Sequence, residues 1–179
     1  MTRIVIVPGI GGSGPEHWQT RWEATLPAAV RIRPASWDEP RLVDWLRAID
    51  DTAPGRDTVF VAHSMGCLAV AEWLTRHPRG AAGAFLVAPP DPAGPEYPDA
   101  AREFTVPRGT LGVPALVIAS SDDPYAPGDA AERFARAWGA GLDVVGAFGH
   151  LNTASGLGEW AEGRERFDAF ASQVAAAAA

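Results

Sequence analysis

Short runs of consecutive apolar residues alternate along this chain with longer stretches in which apolar residues recur every three or four positions. Arg3-Ile4-Val5-Ile6-Val7, Thr58-Val59-Phe60-Val61, Gly83 to Val87 and Val113 to Ala119 are runs of the first kind. Continuous, β-branched runs of this length predict strands buried on both faces. Val30 to Arg33 and Leu142 to Val145 are weaker strands of the same type. Between them lie helical stretches: Pro15 to Leu26, Arg41 to Asp51, the segment after Ser64, Ala130 to Trp138 and Trp160 to Val174. In the second of these, Leu42, Trp45, Leu46 and Ile49 fall on one helical face. Pro15 suits a first helical turn, and His77-Pro78 ends the helix after Ser64. Six strands alternating with helices predict an α/β fold. It is a three-layer sandwich whose mainly parallel sheet is joined by right-handed crossovers.

The segment 89–112 breaks the rhythm. It holds Pro89, Pro90, Pro92, Pro95, Pro98 and Pro107 and predicts a loop with one helical turn around Ala100 to Phe104. No stretch separates two domains, so 1–179 reads as one domain, with 175–179 as an alanine tail.

In a parallel sheet the ligand site gathers outside the carboxyl ends of the strands. Three of those ends carry reactive side chains. After the third strand stands Ala62-His63-Ser64-Met65-Gly66, a serine flanked two positions away by small residues at a strand-to-helix turn. This is the pattern of a nucleophile elbow, with Ala62 in place of the usual first glycine. After the fifth strand comes Ser120-Ser121-Asp122-Asp123-Pro124-Tyr125, and after the sixth Gly146-Ala147-Phe148-Gly149-His150-Leu151-Asn152. A serine hydroxyl needs a base, and the base needs an orienting acid. Ser64 as nucleophile, His150 as general base and acid, and Asp123 as orienting acid meet that need in the order Ser…Asp…His. Asp122 and Asp91 are the alternative acids. For the oxyanion hole, the backbone N–H of Met65 is one expected donor. Ile10 in the loop Pro8-Gly9-Ile10-Gly11-Gly12 is the other, with Gly11 as the alternative. His17, Trp18, Trp37, Tyr125 and Asn152 lie at the same edge and are candidate pocket residues. For His17, Trp18 and Trp37, packing is the competing role. The shortness of 89–112 predicts a shallow, open site suited to short acyl chains.

Gly9-Ile10-Gly11-Gly12-Ser13-Gly14 also matches the G-x-G-x-x-G of dinucleotide-binding loops. Against a nucleotide-dependent oxidoreductase stand Pro8 before the first glycine and bulky His17 and Trp18 early in the next helix. That reading also leaves Ser64, Asp123 and His150 without a role. A protein-binding module on a hydrolase scaffold is a third reading, and an acyltransferase using the same residues a fourth.

Taken together, these segments resemble the RBBP9/YdeN family of small serine hydrolases within the α/β-hydrolase superfamily. The resemblance rests on Ile6-Val7-Pro8-Gly9, His17-Trp18, Trp37-Asp38-Glu39-Pro40, the stretch around Ser64, Ser121 to Tyr125, Gly149 to Asn152 and Ala154 to Trp160. It spans Arg3 to about Phe167. It implies a minimal α/β-hydrolase fold without a helical cap, with Asp123 as the acid. It also implies hydrolysis of an ester or related acyl bond: thioester, lactone or amide.

Composition narrows the field of partners. The net charge is −7, with 15 Lys and Arg against 22 Asp and Glu. That balance argues against nucleic acid or an anionic membrane as a partner. A small-molecule acyl substrate is expected, with no cofactor and no metal, in a monomer or weak homodimer. The single cysteine, Cys67, permits no internal disulfide and fits a reducing compartment. Without a signal peptide or an apolar run near the ~20 residues of a membrane span, the expected location is cytoplasmic.

Overall fold

The computed structural model describes residues 2–178. Its sheet contains β1 (Arg3–Val7), β2 (Ala29–Arg31), β3 (Thr58–His63), β4 (Gly83–Val87), β5 (Ala115–Ala119) and β6 (Gly141–Val144). The spatial order is β2-β1-β3-β4-β5-β6, and every neighbouring pair is parallel. The helices are α1 (Trp18–Thr25), α2 (Leu42–Asp50), α3 (Met65–Arg76), α4 (Ala130–Trp138) and α5 (Ala161–Ala178).

The order of the strands dictates which face each helix covers. The chain moves one way from β1 to β2, then reverses and moves the other way from β2 through β3 to β6. Right-handed crossovers put helices of opposite travel on opposite faces. Accordingly α2, α3 and α4 pack on one face through Trp45, Ile49, Leu68, Leu74, Phe134 and Trp138. On the other face α1 and α5 pack through Trp18, Trp22, Phe167 and Phe170. Strand residues divide by parity: Val5, Val7, Phe60 and Leu86 point to the first cluster, Ile4, Ile6, Val59, Val61 and Phe85 to the second. Both faces are covered, so the strands read as unbroken apolar runs rather than alternating ones. The reversal falls between β1 and β3, whose ends pair Val7 with Ala62. The loops leaving these strands diverge, and a crevice opens at the carboxyl edge.

Local chemistry moves several element ends from their predicted places. Helix α1 starts at Trp18 rather than Pro15. Gly14 to His17 form a turn, with the His17 N–H on the Gly14 carbonyl at 3.0 Å. His17 Nδ1 then caps the helix by accepting from the Gln19 N–H at 3.2 Å. β3 extends to His63, and the last helix begins one residue late because Trp160 has φ +46°. The helical turn of the proline-rich loop lies at Asp99–Ala101, and Thr153–Ser155 forms a second single 3-10 turn. Cys67 is fully buried in the core, where burial pushes its thiol pKa well above the ordinary value.

Candidate active site

Ser64 sits between the last residue of β3 and the first of α3, at φ +55° and ψ −130°. A non-glycine residue rarely adopts this conformation, and it persists only where its surroundings enforce it. Here the Ser64 N–H is held by the Val87 carbonyl at 2.9 Å. Two glycines make the tight turn possible. A Cβ on Gly66 would run into the carbonyl oxygens of Val7 and Pro8. A Cβ on Gly9 would lie 2.8 Å from Ser64 Cβ and 3.2 Å from its Oγ. Gly9 therefore lets the loop after β1 press directly against the serine. Among the described residues, neither the Ile10 N–H nor the Met65 N–H has a hydrogen-bond acceptor, and both residues face the cavity beside Ser64.

His150 reaches Ser64 from the loop after β6. Its Nε2 lies 2.8 Å from Ser64 Oγ, and its Nδ1 lies 2.8 and 3.0 Å from the two oxygens of Asp123. An ionised carboxylate only accepts, so it fixes the ring proton on Nδ1 and leaves Nε2 as acceptor for the serine hydroxyl. Asp123 is buried, and its Oδ1 also accepts from the Tyr125 N–H at 2.9 Å.

The loop carrying His150 is pinned at several points. Asp122 Oδ1 accepts from the Ser120 hydroxyl at 2.8 Å and the Gly149 N–H at 2.7 Å, which together hold its carboxyl below the usual range. Ser120 Oγ accepts from the Phe148 N–H at 2.8 Å. His63 Nε2 donates to the His150 carbonyl at 3.0 Å, and Trp18 Nε1 donates to the Leu151 carbonyl at 2.8 Å. Asp122 thus serves the loop and does not reach the imidazole. Asp91 is placed elsewhere again: it pairs with Arg133 at 2.7 Å and accepts from the Ala93 N–H.

Ser64 and His150 open onto a cavity of about 580 Å³. His17, Tyr125 and Asn152 line it, as the sequence indicates. Trp18 and Trp37 do not, which corrects that expectation. Trp18 is buried under the site against Trp22 and Trp160. Trp37 supports the glycine loop from behind: its ring would lie 2.8 Å from a Cβ on Gly12, and it meets Trp45 edge-on. Asn152 is held as the cap of the 3-10 turn, with Oδ1 on the Ala154 N–H at 2.9 Å.

Tyr97, Pro98, Ala100 and Ala101 also line the cavity, and sequence reasoning missed them. Their loop is short and forms one side of the cavity. The signal was present in Tyr97 and Phe104, two aromatics amid prolines. Phe104 is fully buried against Trp45, and the Tyr97 hydroxyl donates to the Phe104 carbonyl at 2.7 Å.

Three imidazoles stand in a row, His17 to His63 at 4.7 Å and His63 to His150 at 5.1 Å between ring centres. Burial, with smaller contributions from Arg31 and His150, lowers the pKa of His17 to about 4. Burial, then His150 and His17, holds His63 well below its ordinary value. Both are neutral at pH 7. Among the described residues, no group of three or more His, Cys, Asp or Glu is arranged to hold a metal ion.

A model of the family described as serine hydrolase matches residues 4–169. The chain belongs to the serine hydrolase family. Solved structures agree in fold. A YdeN-like hydrolase from Pectobacterium atrosepticum is 32% identical and superposes with a TM-score of 0.86 over 97% of this chain and 92% of that one. The YdeN protein of Bacillus subtilis is 25% identical, with a TM-score of 0.81 over 96% of this chain and 100% of that one. The carboxylesterase CesB of B. subtilis shares the fold at 14% identity, with a TM-score of 0.65 over 94% of this chain and 83% of that one. No curated protein matches the sequence. This serine hydrolase thus has a minimal α/β-hydrolase fold, as the sequence resemblance implied. No helix among its described residues is long and apolar enough to cross a membrane.

Proposed function

We propose that this serine hydrolase cleaves a carboxylic ester or a related acyl bond through an acyl-enzyme on Ser64. The observation that carries the reading is the continuous hydrogen-bonded line from Ser64 Oγ through His150 to Asp123, with 2.8 Å at both ends of the imidazole. In the first half-reaction Ser64 Oγ attacks the acyl carbon and its proton passes to His150 Nε2. The resulting imidazolium faces the Asp123 carboxylate, which stabilises it and keeps the ring oriented. The tetrahedral oxyanion points at the unpaired N–H groups of Ile10 and Met65. One such donor is typically worth about 10²–10³ in rate. His150 then protonates the departing alcohol, and the acyl-enzyme remains. In the second half-reaction His150 takes a proton from water, the hydroxide attacks the acyl carbon, and Ser64 leaves with the proton returned from His150.

The glycine loop fits this chemistry better than dinucleotide binding. It lies against Ser64 at Gly9, and the start of α1, where a pyrophosphate would rest, is capped by His17. Hydrolysis of p-nitrophenyl hexanoate tests the proposal. The wild-type protein turns it over, and Ser64→Ala loses about 10⁴-fold or more in kcat, as for other serine triads. Undiminished turnover by Ser64→Ala would overturn it.

A further inference from the structure

The cavity beside Ser64 differs from the rest of this molecule in charge. Among the described residues that line it there is no Asp, Glu, Lys or Arg. Charged residues form 21% of the chain and concentrate on surfaces, so a wall of this size would ordinarily carry about four. Besides Ser64 and the imidazoles, the polar side chains that line it are the neutral Tyr125, Thr153 and Asn152, while the hydroxyls of Ser13 and Tyr97 are spent on Gln19 Oε1 and the Phe104 carbonyl.

The charges that come near are spent or turned away. Arg31 lies behind the glycine loop, but its guanidinium pairs with Glu23 at 2.7 Å and donates to the Gly12 and Ser13 carbonyls at 2.6 and 3.0 Å. The Asp123 carboxylate is taken by His150 and the Tyr125 N–H. On the far side of Ala100, a separate depression of about 440 Å³ holds Glu39, Arg41, Asp99, Arg102 and Glu103. The loop that walls the cavity therefore keeps its ionised side chains outside. His17 and His63, which do face the cavity, are neutral because both are buried.

We infer that the cavity selects uncharged acyl groups and rejects those that carry a carboxylate, a phosphate or an ammonium group inside it. This deepens the hydrolase reading and rests on it. A charged acyl chain must shed water on entering, and the neutral groups that line the cavity, the unpaired His17 Nε2–H among them, supply no counter-charge in its place. The two free backbone N–H groups cannot serve, because the scissile carbonyl occupies them.

Three p-nitrophenyl esters with six-carbon acyl chains, assayed at pH 7, test the inference: hexanoate, the half-ester of adipic acid, and 6-aminohexanoate. The expected kcat/KM for both charged esters is at least about 30-fold below that for hexanoate, in line with an unpaired charge in a partly desolvated site. A smaller gap for either one overturns the inference. Ala154→Lys, which places a cation at the cavity wall, should raise the adipate-to-hexanoate ratio at least about ten-fold; an unchanged ratio counts against it. Binding of the same esters to Ser64→Ala, followed by tryptophan fluorescence, separates the two claims. If that variant binds hexanoate alone while the wild type hydrolyses none, the hydrolase reading fails and the selectivity stands. Equal binding of all three overturns the selectivity.

Discussion

Asp122 and Asp123 are adjacent carboxylates with different work. Asp123 is buried with both oxygens on His150 Nδ1, whereas Asp122 is exposed and holds the Ser120 hydroxyl and the Gly149 N–H. Asp123→Asn offers the imidazole an amide, which favours the wrong tautomer, and should lower kcat by about 10⁴. Asp122→Asn keeps an acceptor oxygen for Gly149 and should cost less than about ten-fold. Asp91→Asn weakens only the link to Arg133, an exposed partner, and should leave kcat within about three-fold. Ester hydrolysis by the three variants checks the order, and a loss at Asp91 or Asp122 as large as that at Asp123 would contradict it. Ser64, Asp123 and His150 were legible in the sequence because each follows a strand and so reaches the same edge. Trp18 and Trp37 were not, because placement at an edge does not say whether a ring faces out or under. Trp18 follows the cap at His17 and turns into the α1/α5 layer, and Trp37 fills the space that Gly12 leaves.

Among the elements, the loop between β4 and β5 contributes most to the site beyond the strand ends. It is tied to α2 by Glu103, whose carboxylate meets Arg41 at 2.7 Å and accepts from the Leu42 N–H at 3.0 Å. Arg41 makes no side-chain cap of its own, so Glu103 supplies the missing acceptor at the start of α2. The exposed ion pair adds little, and the cap contributes about 1 kcal/mol. Glu103→Ala should therefore loosen the wall at Tyr97 to Ala101 rather than unfold the protein. The expected result is a KM several-fold higher for p-nitrophenyl hexanoate with kcat little changed. A fall in kcat with KM unchanged would refute the role given to Glu103. Periodicity placed β4 and α4 at their observed ends, since apolar pattern and packing agree there. It misplaced the start of α1 and the turn at Asp99–Ala101, where capping by His17 and the burial of Phe104 decide. Neither leaves a periodic trace.

At the scale of the whole molecule, the reversal between β1 and β3 puts an apolar interior and a polar site side by side. Two neutral imidazoles, His17 and His63, are built into that boundary. Their folded pKa values lie below the unfolded value near 6.5, His17 at about 4. Above pH 6.5 neither form binds the proton, and full stability is present. As pH falls below 6.5, the unfolded chain takes up protons that the folded chain refuses, and stability drops. For His17 the loss amounts to about 3 kcal/mol by pH 4 and then levels off; His63 adds a loss of the same sign. Chemical denaturation between pH 8 and pH 4 should show this decline, and His17→Gln should roughly halve its slope between pH 6.5 and 4. Stability independent of pH from 7 to 4.5 would contradict the neutral burial of both rings.

Covalent trapping of Ser64 tests the central claim most directly. The protein is treated with a fluorophosphonate and the modified residue is located by peptide mass spectrometry. The geometry at His150 and Asp123 predicts a single adduct on Ser64, lost in Ser64→Ala and strongly slowed in His150→Ala. A folded wild-type protein that stays unlabelled, or an adduct on another residue, would contradict it.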